Sequence, residues 1–128
     1  MANQPHYFNL DEANAIVKAI RPLMAEILGI RQHIIAQQAE LWPIVEKAAG
    51  NGGNRIASLA VREFGQLDRL VHEIQVTGAI IKDLNAGLVD FPALRDGREI
   101  YLCWKYDEKQ IEFWHDVSSG YSGRQPLA

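Results

Sequence analysis

The sequence predicts an α+β fold: a long antiparallel helical hairpin, its first helix kinked near Pro22, followed by a small C-terminal antiparallel β-meander. Three observations carry this expectation. Apolar residues recur at helical spacing from Ala13 to Ile74, they alternate with a period of two from Glu99 to His115, and seven of the eleven aromatic residues fall between Lys82 and Leu127. The 128 residues suit one domain, with the hairpin over 9–77 and the meander and tail over 79–128.

The first helix opens at Asn9, whose side chain is placed to cap the following amides while Glu12 reaches back to the amide of Asn9. Its stripe runs through Ala13, Ile16, Val17, Ile20, Met24, Ile27, Leu28, Ile34, Leu41 and Val45. The glycine- and asparagine-rich stretch from Gly50 to Asn54 reads as the turn into a second helix, from about Arg55 to Thr77. That helix carries Ile56, Leu59, Ala60, Phe64, Leu67, Leu70, Val71 and Ile74 on one side, with Gly78 just past its end. A helix running from Leu10 to Ala48 would reach nearly 60 Å and the second only about 35 Å. A kink or break near Arg21, where Pro22 lacks an amide and crowds the preceding turn, reconciles the two lengths. The overhang from Leu10 to Ile20 is then where the sheet is expected to pack.

In the last third, Ala79 to Ile81 begins a strand and Asn85 to Gly87 a turn. Leu88 to Phe91 forms a second strand closed by Pro92, and Arg95 to Arg98 turns again. Glu99 to Lys105 and Gln110 to His115 flank the polar loop Tyr106 to Lys109 as a hairpin. Alternation sets Ile100, Leu102 and Trp104 on one face with Ile111, Phe113 and His115. Tyr101, Cys103, Glu112 and Trp114 then share the other face, joined by Asp90. The first face is expected to meet the helices, and the second to be covered by the tail or by a partner.

Composition excludes several classes. Thirteen Lys and Arg against sixteen Asp and Glu, a net charge of −3, give no built-in attraction for phosphate backbones, so nucleic acid is not an expected partner. The single cysteine, Cys103, excludes an internal disulfide. No export signal is read at the start and no apolar run long enough for a membrane, so a cytoplasmic location is the expectation.

The run Gly87-Leu88-Val89-Asp90-Phe91-Pro92-Ala93, with Lys82-Asp83, Gly97-Arg98, Leu102-Cys103-Trp104, Trp114-His115 and Gly120 to Leu127, resembles an uncharacterised prokaryotic family, domain of unknown function family 2203. The opening Phe8 to Asn14 with its helix is similar to that family too. The resemblance implies no activity, substrate or catalytic residue. Where such families commonly have Glu after the Trp-His pair this chain has Asp116, a shorter arm.

Asp90, Cys103, His115, Asp116 and Arg124 are the polar residues from which chemistry can be built. His115 and Asp116 are candidate ligands for a divalent metal ion, and Asp90, Tyr101, Trp114 and Arg124 candidate contacts for a ligand. With Cys103 and His115 assigned to opposite faces, one ion shared between them is not expected. The leading functional expectation is a non-enzymatic homodimeric module, self-associating through the hairpin and binding a protein or small ligand at the sheet. The alternative is a small metal-dependent or acid–base enzyme using Asp90, His115 and Asp116, with Arg124 anchoring an anion.

Overall fold

The chain is an α+β protein, seen in a computed structural model that describes residues 6–47 and 53–127, with the side chains of 38–61 outside the description. Helix α1 spans Leu10–Lys47 and α2 Gly53–Gln75. Five strands follow, β1 Ile80–Asp83, β2 Leu88–Arg95, β3 Arg98–Lys105, β4 Phe113–Asp116 and β5 Gln125–Pro126, with a short 3₁₀ turn at Tyr121–Gly123 before the last. They make one antiparallel sheet in chain order, β1-β2-β3-β4-β5. No helix among the described residues is long and apolar enough to cross a membrane.

The start of α1 is the reciprocal cap read from the sequence. The Glu12 amide donates to Asn9 Oδ1 at 2.8 Å and the Asn9 amide to Glu12 Oε1 at 2.9 Å. The break expected near Arg21 is absent, since α1 is one helix through Pro22. Pro22 and Lys18, whose carbonyl the proline leaves without an amide, are both exposed, so water can serve that carbonyl. The turn expected at Gly50 to Asn54 lies largely outside the described residues, as do the side chains of Leu41, Val45, Ile56, Leu59 and Ala60.

The core is built between the first half of α1, the end of α2 and one face of the sheet. Ala13, Val17, Ile20, Met24 and Ile27 pack with Leu70 and Ile74 against Val89, Phe91, Ala93, Ile100, Leu102, Trp104 and Trp114. Polar ties fix the docking. The Asn14 side chain accepts from the Ile111 amide at 2.9 Å, and Arg21 donates to the carbonyls of Glu108 and Lys109. Gly78 ends the α2 turn at φ 97°, and a Cβ there would stand 2.8 Å from the Phe8 ring.

Two strand expectations are corrected. Strand β2 does not close at Pro92 but runs on to Arg95, with Pro92 paired to Tyr101. The Pro92 carbonyl accepts from the Phe8 amide at 2.7 Å, so this residue turns its backbone polar side away from β3 and the proline removes no rung from the ladder. Strand β4 begins only at Phe113, after an irregular stretch, and its facing is the reverse of that expected. Trp114 pairs with Leu102 on the core face, while His115 pairs with Tyr101 and Phe113 with Cys103 on the outer face.

Candidate functional site

Reversing β4 brings together the residues that alternation had separated. Asp90 on β2 and Cys103 on β3 are direct register partners and so share a face. His115, opposite Tyr101, is their diagonal neighbour on that same outer face. The carboxylate, the thiol and an imidazole nitrogen lie within 4.8 Å of one another. All three residues are closed off from solvent, Asp90 at 1%, Cys103 at 0% and His115 at 2% exposure.

The hydrogen bonds define the proton inventory. His115 Nδ1 lies 2.8 Å from the Asp116 carbonyl, which can only accept, so Nδ1 carries a proton and donates it. His115 Nε2 lies 3.0 Å from Asp90 Oδ2, and one proton sits between those atoms. The second carboxylate oxygen, Asp90 Oδ1, has no hydrogen-bond partner. Burial pushes the Cys103 thiol up to about 12, reinforced by the negative charge of Asp90 and opposed by the guanidinium of Arg124. In the ion-free protein Cys103 is therefore a protonated thiol and no nucleophile at neutral pH.

Two lids close the outer face. Arg124, drawn back by the 3₁₀ turn, donates to Glu108 Oε1 at 2.6 Å and to the Cys103 carbonyl at 3.3 Å. Its guanidinium lies 4.1 Å from the Phe113 ring centroid and 4.8 Å from that of Tyr121. On the other side the Tyr101 ring leans on His115 at 5.5 Å, with Lys82 Nζ 4.9 Å above it.

The sequence-based candidates thus divide. Asp90 and His115 touch, Tyr101 flanks them, and Arg124 reaches the backbone of Cys103 while its charge is engaged by Glu108. Asp116 offers His115 only its carbonyl, because its side chain pairs with Arg98 at 3.1 Å. Trp114 is in the core on the other face, beneath Arg95. Glu108, the residue that holds Arg124, stands in the sequence only as part of a polar loop. The clue to it is geometric rather than compositional: Arg21 and the Trp104 indole both bind the Glu108 carbonyl and present its side chain.

Two hollows on the surface do not reach the polar cluster. One of about 520 Å³ is bordered by Glu26, Gly29, Ile30, His33, Arg62 and Glu63, and another of about 400 Å³ by Val71, Gln75, Lys82 and Leu84. Neither is lined by Asp90, Cys103 or His115.

A family model described as "Uncharacterized conserved protein (DUF2203)" matches residues 6–127. No curated protein and no solved structure matches the chain.

Proposed function

The chain belongs to the DUF2203 family, whose description names no reaction, and we propose from its geometry that it is a non-enzymatic module that pairs with a second copy through its helices. The observation that carries this reading is where burial stops. Among the described side chains the last buried apolar residue of α1 is Ile27 and the first of α2 is Leu70, yet both helices run on beyond the sheet. Past those points Ile30, Ile34 and Leu67 are half-buried, while Ile35 and Phe64 are 42% and 53% exposed.

In this reading α1, bent at Pro22, and α2 form an antiparallel hairpin whose distal half carries an apolar stripe by sequence, with no third element against it among the described residues. Two helices cannot enclose such a stripe. A second copy related by a two-fold axis would complete a four-helix bundle. His33 Nδ1, 2.7 Å from Glu63 Oε2, braces the arm from its polar flank. At the opposite end, the half-buried Tyr101 ring beneath the exposed Lys82 offers a protein or small anionic ligand an apolar platform with a cation beside it. The module would work in the cytoplasm, where its one thiol stays reduced.

An acid–base enzyme built on Asp90 and His115 draws support from their hydrogen bond, but a substrate would have to enter a cluster that is closed on every side. A binding module requires no such opening. Sedimentation at micromolar concentration tests the proposal. The expected species has twice the 14.4 kDa chain mass, and Phe64→Glu converts it to a monomer with an unchanged circular dichroism spectrum. A wild-type protein that sediments only as a monomer overturns it.

A further inference from the structure

We propose that Asp90, Cys103 and His115 are the protein ligands of a divalent transition-metal ion, zinc by preference, held inside the outer face of the sheet. The inference is independent of self-association. Their three donor atoms lie within 4.8 Å of one another, on three adjacent strands. A tetrahedral zinc ion with bonds of about 2.0–2.3 Å spaces its ligand atoms roughly 3.3–3.6 Å apart. The Nε2···Oδ2 pair at 3.0 Å need open only slightly, and no donor separation exceeds 4.8 Å, so side-chain movements of about 1 Å bring the trio to that spacing without rebuilding the sheet.

Two independent observations point to a ligand rather than to a buried pair alone. Asp90 Oδ1 is a carboxylate oxygen with no partner beyond the weakly donating Cys103 thiol beside it, on a residue that is 1% exposed, a costly arrangement that an ion relieves. His115 is anchored through Nδ1 on the Asp116 carbonyl, which turns Nε2 inward and fixes the ring, as outer hydrogen bonds do for metal-binding imidazoles. As a stabilising device without metal the cluster is poor, because desolvating a histidine–aspartate pair offsets most of its attraction.

The donor set chooses the ion. One sulfur, one nitrogen and one oxygen do not suit calcium or magnesium, which take oxygen, but they suit zinc and cobalt. A carboxylate and a thiolate balance the charge of a divalent ion, so the filled site is neutral, as its burial demands. Arg124 is held by Glu108 and Lys82 stands out over Tyr101, so neither cation competes for the ligands. A fourth ligand would come from water.

The test is a cobalt titration of the full chain after stripping with a chelator. The expected result is one Co²⁺ per chain with a thiolate-to-cobalt charge-transfer band, displaced by Zn²⁺. Since Cys103 is the one cysteine of the sequence, the band by itself assigns the ligand. Cys103→Ser should abolish it, and His115→Ala and Asp90→Asn should each weaken zinc binding by at least about 100-fold. A folded wild-type protein that shows no such band overturns the proposal, whether or not the variants fold. So does zinc binding of undiminished affinity in a natively folded Asp90→Asn or Cys103→Ser protein.

Discussion

Replacing Cys103 by alanine should change how stability depends on pH more than it changes stability itself. At neutral pH the substitution deletes one buried sulfur from a closed face, at a cost of about 1–2 kcal/mol. In the ion-free native protein the thiol is held up to about 12 from an ordinary 9.0, first by burial and then by the charge of Asp90. Between those values the unfolded chain has released a proton that the native chain keeps. The unfolded state binds fewer protons, so stability falls as pH rises, by up to about 1.4 kcal/mol per pH step and about 4 kcal/mol over the whole window. Below pH 9 the contribution of the neutral thiol is intact. Cys103→Ala loses this slope, so the variant begins less stable, and its curve meets that of the wild type near about pH 10 and lies above it at pH 11. Lysines and tyrosines titrate in the same range but are common to both proteins and cancel in the difference. Urea unfolding followed by circular dichroism at pH 7, 9, 10 and 11, with chelator and reductant present, reads the difference directly. Two stability curves that stay parallel would refute the reasoning.

Three comparisons extend the argument to the rest of the fold. Asn9→Ala breaks the reciprocal cap of α1 and should cost about 1 kcal/mol, seen as a lower midpoint in thermal unfolding. Gly87 and Gly97 both have positive φ, 66° and 78°, but only at Gly87 would a Cβ strike a neighbour, Tyr106 Cβ at 2.7 Å. Gly87→Ala should therefore cost at least about 2 kcal/mol and Gly97→Ala about 1 kcal/mol; equal costs would show that the contact is relieved without effort. Arg98→Ala removes an exposed pair with Asp116 and should cost less than about 1 kcal/mol. Arg124→Ala leaves the largely buried Glu108 carboxylate without its partner, for about 2–4 kcal/mol by denaturant unfolding.

Local chemistry was legible in the sequence wherever a few adjacent residues decide the outcome. Asn9 and Glu12 announced the start of α1, Gly78 the end of α2, and Asp96-Gly97 a two-residue turn, with φ 53° and 78°, that sets the register of eight residue pairs between β2 and β3. What escaped was decided at a distance. Pro92 looked like a strand end because the Phe8 segment that occupies its far side lies more than eighty residues earlier. Phe64 falls on the stripe of α2 by spacing, yet it is exposed because the sheet does not extend that far. The site itself was half read. Asp90, Cys103 and His115 each stand out by residue type, but alternation taken through residues 110–112, which lie off the ladder, inverts the phase of β4. A shift of one residue in that phase exchanges His115 for Trp114 on the face of Cys103.

The sheet in chain order has a consequence for the birth of the protein. During synthesis α1 and α2 leave the ribosome complete before any strand that covers Val17, Ile20, Met24 or Ile27 exists. At 5–20 residues per second the wait for residues 79–127 lasts on the order of several seconds, long on the scale on which helices form and greasy surfaces find one another. Through that interval nascent chains expose these apolar faces to one another, so the yield of folded protein is expected to rise with chaperone supply more steeply than the stability of the finished molecule would suggest.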